Sequence, residues 1–102
     1  MKIKVDAIIE ARMSSKRLPG KILKKIHKKE ILKIIIQRLQ KSKKINKIFV
    51  ATTSHKSDDI LANFLKKKKI PFYRGSKSNI ISRIINCAKK YKINHILRVT
   101  AD

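Results

Sequence analysis

Lys2-Ile3-Lys4-Val5-Asp6-Ala7-Ile8-Ile9-Glu10-Ala11 runs directly into Arg12-Met13-Ser14-Ser15-Lys16-Arg17-Leu18-Pro19-Gly20-Lys21. The first ten residues are rich in Ile and Val and stop at a polar segment, the pattern of a buried strand feeding a loop. The serines and the Pro19-Gly20 pair favour tight turns over helix. A strand that ends in such a loop is the usual opening of an open α/β sheet, whose ligands bind beyond the carboxyl ends of its strands.

The rest of the chain continues that alternation. From about Glu30 to Ser42, Ile31, Ile34, Ile35 and Leu39 follow helical spacing, and Leu32 and Ile36 widen the stripe. Ile48–Thr53 reads as a second strand. Ser57, Asp58 and Asp59 then offer an N-cap and an acidic first turn for a helix that buries Ile60, Leu61, Phe64 and Leu65. Ile70–Gly75 is a third strand with a turn. A third helix, capped near Ser76 or Ser78, turns Ile80, Ile81, Ile84, Ile85 and Ala88 inward, and His95–Thr100 is the fourth strand. The order β-α-β-α-β-α-β, with right-handed crossovers, predicts one α/β domain over residues 1–102: a Rossmann-like three-layer sandwich around a mainly parallel sheet. In the common 3-2-1-4 strand order the first and fourth strands are neighbours, which brings the basic loop and Asp102 to one crevice.

The 102 residues, 42% hydrophobic and 33% charged, suit a small globular domain. The net charge of +22 raises the alternative of a small basic nucleic-acid-binding module. Most lysines, however, fall in runs at predicted helix ends: Lys41, Lys43, Lys44 and Lys47, then Lys66 to Lys69, then Lys89, Lys90 and Lys92. There they complement the helix dipole at the pole away from the crevice. A nucleic-acid partner is therefore disfavoured. Cys87 stands alone, without an intrachain disulfide partner, and fits a reducing cytoplasm. No run reaches membrane-spanning length, and the N-terminus lacks a signal-peptide pattern. His27, His55 and His95 show no metal-ligand spacing. The aromatic residues fall mostly at core positions.

Arg12, Arg17 and Lys21 supply fixed cations along one loop at a strand end, as a triphosphate site needs. The chain is rich in Lys and poor in Arg, so two arginines in one loop are out of pattern.

Ile9 to Lys21, with its Ala11-Arg12 and Arg17-Leu18-Pro19-Gly20-Lys21, resembles the opening signature of cytidylyltransferases acting on acidic sugars. The variety is that of the spore-coat polysaccharide biosynthesis protein F type, related to acylneuraminate and 3-deoxy-manno-octulosonate cytidylyltransferases. The resemblance continues through Val50-Ala51-Thr52-Thr53, Asp58-Asp59, Arg74-Gly75, Arg83 and Arg98-Val99-Thr100-Ala101-Asp102.

It implies a nucleotide-diphospho-sugar transferase fold in part, with CTP and an acidic sugar as substrates and Mg²⁺ as cofactor, in polysaccharide biosynthesis. Ala11, Arg12, Ser15, Arg17, Lys21 and Arg83 are the implied nucleotide contacts, with Arg12 and Lys21 catalytic. Ala51 and Thr52 lie near the base or ribose, and Asp102 is implied as a metal ligand suited to magnesium's preference for oxygen. Ser14, Glu10, Lys16 and Ser82 depart from the family's usual residues. Glu10 introduces a carboxylate that would repel phosphate unless turned away or paired. Family members run to roughly twice this length in ordinary domain terms, and their second half holds the acid-sugar pocket and dimer contacts. The expectation is thus a nucleotide-binding part that does not turn over alone: a truncated product, a half completed by a second chain or within a homodimer, or an excerpt from a longer protein.

Overall fold

The computed structural model describes residues 4–14 and 19–101. Ser15, Lys16, Arg17 and Asp102 lie outside the described residues.

Nine elements are built: β1 (Val5–Glu10), β2 (Lys25–Ile26), β3 (Lys29–Glu30), α1 (Ile31–Gln40), β4 (Ile45–Thr53), α2 (Asp59–Lys67), β5 (Phe72–Gly75), α3 (Ile80–Lys90) and β6 (Ile96–Thr100). The main sheet runs β5-β4-β1-β6 with every pairing parallel. This is the predicted 3-2-1-4 order. Successive residues of a strand face opposite ways, and the core divides accordingly. Ile9, Ala11 and Val50 pack with Leu32 and Ile36 of α1 and Leu61 and Leu65 of α2. Ile8, Phe49 and Ala51 pack with Ile84, Cys87 and Ala88 of α3. Helices thus cover both faces of the sheet, the three-layer arrangement expected.

β4 begins three residues earlier than predicted, and its pairing with β1 carries a bulge: Val5 faces Ile45 but Ala7 faces Ile48. The Asp6 carboxylate accepts the Lys47 N–H at 3.0 Å beside the irregularity. The hairpin β2-β3 was not predicted. Its turn uses His27 and Lys28, at φ 51° and 70°, a geometry that sequences usually signal with Asn-Gly and that is absent here.

Two helix faces differ from expectation. Ile60 is 63% exposed and Ala62 takes its place in α2. In α3 the buried residues are Arg83, Ile84, Cys87 and Ala88, while Ile80, Ile81 and Ile85 are exposed. The α3 cap is Asn79, whose side chain accepts the Ser82 N–H at 2.9 Å; Ser76 instead accepts the N–H of Asn79.

Candidate nucleotide site

At the carboxyl end of the sheet, Glu10 lies level with Ala51 on one side and Thr100 on the other. The Ala11 N–H donates to Ala51 O and the Ala101 N–H to Glu10 O, each at 3.2 Å. β1 leads to β4 on one flank and has β6 on the other, so the change of strand order falls at β1/β6. A cleft of about 70 Å³ opens there, lined by Glu10, Ala11, Arg12, Ile80, Arg83 and Thr100. It is too small to enclose a nucleotide. Larger hollows, of about 310 and 600 Å³, lie elsewhere, at the opposite pole beside Lys68, Lys69 and Pro71 and along α1.

Of the residues singled out from the sequence, Arg12 is exposed and Ala11 buried at the end of β1, and Lys21 opens a 3-10 turn, Lys21–Leu23. The loop between them is closed at its neck. The Gly20 N–H donates to Met13 O at 2.7 Å, with Gly20 at φ 74°, a conformation open to glycine and strained for other residues. Arg12 and Lys21 therefore flank one closure. Ala51 and Thr52 are fully buried, so their side chains present no surface to the cleft.

Arg83 is only 3% exposed, and its Nη1 donates to Ser76 O at 3.2 Å while Nε has no partner. Burial lowers its pKa and the Glu10 carboxylate opposes that shift; a guanidinium keeps its charge at neutral pH regardless. The close seat of α3 depends on Gly75: a Cβ there would come within 2.7 Å of Tyr73 Cε2 and 3.0 Å of Arg83 Cγ.

Glu10, which the sequence marked as repulsive unless paired, is paired. Its Oε1 lies 3.0 Å from Arg98 Nη2, but in poor alignment, so that Oε1 accepts no well-directed hydrogen bond. Arg98 and Thr100 thus join the site without having been predicted for it.

The largest revision concerns Asp58. Expected among the residues starting α2, it makes no side-chain capping bond. It is 1% exposed, accepting the Met13 N–H at 2.6 Å and the Thr53 hydroxyl. The capping contact in that segment comes instead from His55, whose ring nitrogen accepts the Ser57 N–H. The acidic pair after Ala51-Thr52-Thr53 was visible in the sequence; the inward direction of Asp58 was not.

No group of three or more His, Cys, Asp or Glu side chains among the described residues could hold a metal ion. Nor is any helix there long and apolar enough to cross a membrane.

A family model described as cytidylyltransferase matches residues 7–102. The chain belongs to the cytidylyltransferase family. It is 39% identical over 100 residues to an uncharacterised protein of Methanocaldococcus jannaschii, covering 98% of this chain and 41% of that one. The spore coat polysaccharide biosynthesis protein SpsF of Bacillus subtilis is 33% identical over 99 residues, with 93% and 41% covered. A solved cytidylyltransferase from Leptospira borgpetersenii superposes with a TM-score of 0.86 at 39% identity, over 98% of this chain and 42% of that one. A CMP:2-keto-3-deoxy-manno-octonic acid synthetase solved with CTP shares the fold, with a TM-score of 0.76 at 21% identity over 97% and 40%. The chain thus spans about two fifths of the length of the relatives it matches.

Proposed function

We propose that this chain is the CTP-binding part of a nucleotidyltransferase that joins CMP to an acidic sugar for polysaccharide biosynthesis. In that reaction a sugar hydroxyl oxygen forms a bond to the α-phosphorus of CTP, the bond to the β-phosphate oxygen breaks, pyrophosphate leaves and the hydroxyl proton passes to solvent. No protein nucleophile is needed.

The observation that carries the reading is the closed loop neck beside the β1/β6 cleft, which sets Arg12 and Lys21 at the strand ends where this fold class takes its ligands. Arg12 grips phosphate oxygens and Lys21 supplies a compact positive charge, offsetting the charge that gathers on the departing pyrophosphate. Ser15 and Arg17 belong to the same loop by sequence. Arg83 and Glu10, each with an unpartnered buried polar atom, line the cleft, where a polar ligand satisfies both. Ala51 and Thr52 lie near the base or ribose on this reading, offering backbone rather than side chains.

Among the described carboxylates, Glu10 is engaged by Arg98, and Asp58 by Met13 and Thr53. Asp102, next in sequence after Ala101, is the oxygen donor that the family resemblance assigns to Mg²⁺. A Mg²⁺ ion held there would offset phosphate charge and make the α-phosphorus more electrophilic.

On this reading the acceptor-sugar pocket is supplied from outside these 102 residues, by a continuation of the same polypeptide, by a second chain or across a homodimer. The location is the cytoplasm, where nucleoside triphosphates are made and a thiol such as Cys87 stays reduced.

Isothermal titration with CTP, ATP and pyrophosphate, with and without Mg²⁺, tests the reading. Metal-dependent binding that prefers CTP is expected, weakened about tenfold or more by Lys21→Ala and by Arg12→Ala. Equal weak binding of every polyanion, untouched by either substitution, would overturn it. CMP-sugar formation by the 102-residue chain alone would overturn the assignment of the acceptor pocket to other polypeptide.

A further inference from the structure

Asp58 does not line the cleft, yet it touches the loop assigned above to the triphosphate. Its carboxylate is buried at the turn before α2 and uses one oxygen on the Met13 N–H and the other on the Thr53 hydroxyl. Forty-five residues of sequence separate Asp58 from Met13. The hydrogen bonds continue on both sides. The His55 N–H donates to Thr53 Oγ1 at 3.2 Å, and Met13 O accepts the Gly20 N–H that closes the loop. A single chain of polar contacts therefore runs from the end of β4, through Asp58, to the neck between Arg12 and Lys21.

Burying a carboxylate is costly unless its oxygens are satisfied. A carboxylate beneath a phosphate-binding loop also opposes the ligand's own charge. A residue serving only to start α2 would lie at the surface, as Asp59 does with its exposed Arg74 ion pair. The inward turn of Asp58 needs another account, and the bond to Met13 provides it. With its N–H taken by Asp58, Met13 is held where its carbonyl meets Gly20. Without that acceptor, the N–H would be left unpaired and the neck free to open.

We propose that Asp58 is a positioning residue that pre-forms the triphosphate loop by fixing Met13, so that binding does not have to bear the entropy of closing the neck. The proposal rests on the nucleotide reading given above. It assigns Asp58 no contact with substrate or metal.

The test compares CTP-Mg²⁺ affinity and amide hydrogen exchange at Met13 and Gly20 in the 102-residue chain and in Asp58→Ala, Asp58→Asn and Thr53→Val, with Lys21→Ala as reference. Each measurement is made below the melting temperature of the variant. Asp58→Ala is expected to lose protection at both amides and to weaken CTP about tenfold. Asp58→Asn keeps an acceptor oxygen of the same size and is expected to restore protection and affinity to within about threefold of the parent. Thr53→Val, which retains the carboxylate but removes its support, should fall between them and covers the case in which Asp58→Ala does not fold.

A folded Asp58→Ala or Thr53→Val that binds CTP like the parent, while Lys21→Ala does not, would overturn the inference and leave the nucleotide reading standing. So would unchanged exchange at Met13 and Gly20. Absence of CTP binding by the parent chain would overturn the nucleotide reading itself, and this inference with it.

Discussion

Cys87 shows how far one buried group can govern behaviour. Burial on the α3 face pushes its thiol pKa from 9.0 up to about 11. Because the folded-state value is the higher one, its contribution to stability is complete below pH 9 and is lost as pH rises from about 9 to about 11. The shift corresponds to about 2–3 kcal/mol. Urea denaturation at pH 8 and pH 11 should show that extra loss in the parent relative to Cys87→Ala, which removes the titrating group and leaves the lysines common to both. At this scale the sequence singled out Arg12 and Lys21, the residues proposed to hold the triphosphate, since basic side chains in a strand-end loop are informative wherever they point. It did not show that Asp58 turns inward, nor that Arg98 is the cation that pairs with Glu10. A carboxylate beside a helix start normally faces solvent, and only the position of Met13 shows why Asp58 turns inward.

Elements were readable where hydrophobic spacing was unambiguous and misread where the abundance of isoleucine blurred it. In α3 the pattern of Ile80, Ile81, Ile84 and Ile85 points to one face, but the helix rotates so that Arg83 and Cys87 go inward. Arg83 counts as outward in any hydropathy pattern, yet it is buried beside the cleft. The helix ends carry a second lesson. After α2, the Ile70 N–H bonds Leu65 O and the Lys69 N–H bonds Lys66 O; after α3, the Ile93 N–H bonds Ala88 O and the Lys92 N–H bonds Lys89 O. Both are Schellman endings that place a lysine at positive φ, 58° at Lys69 and 54° at Lys92. Glycine avoids the Cβ penalty there. Lys69→Gly and Lys92→Gly are each expected to raise the unfolding free energy by about 1 kcal/mol, measured by urea titration, whereas Lys68→Gly, at a position without positive φ, should not.

For the whole molecule, the strand order came through from the sequence because alternating elements and right-handed crossovers leave few topologies. The net charge of +22 resides largely in lysines. The lysine runs after α1, α2 and α3 are exposed, and self-repulsion among them opposes the compact state. Screening should relieve it. Raising NaCl from 10 mM to 500 mM is expected to raise the melting temperature by about 5 °C, equivalent to about 1 kcal/mol for a domain of this size, with no change or a fall as the contrary result.

The two sides of the sheet are unequally covered. One is sealed by two helices together with the Ile22 turn, the other by α3 with Tyr73, Tyr91 and Ile93 at its margins. Such a layer can lift away as a unit while the opposite side stays closed. The lone thiol lies beneath that layer and Arg83 rides on it, so the rate at which a thiol reagent reaches Cys87 would time any lifting of α3, and a ligand that engages Arg83 is expected to slow it.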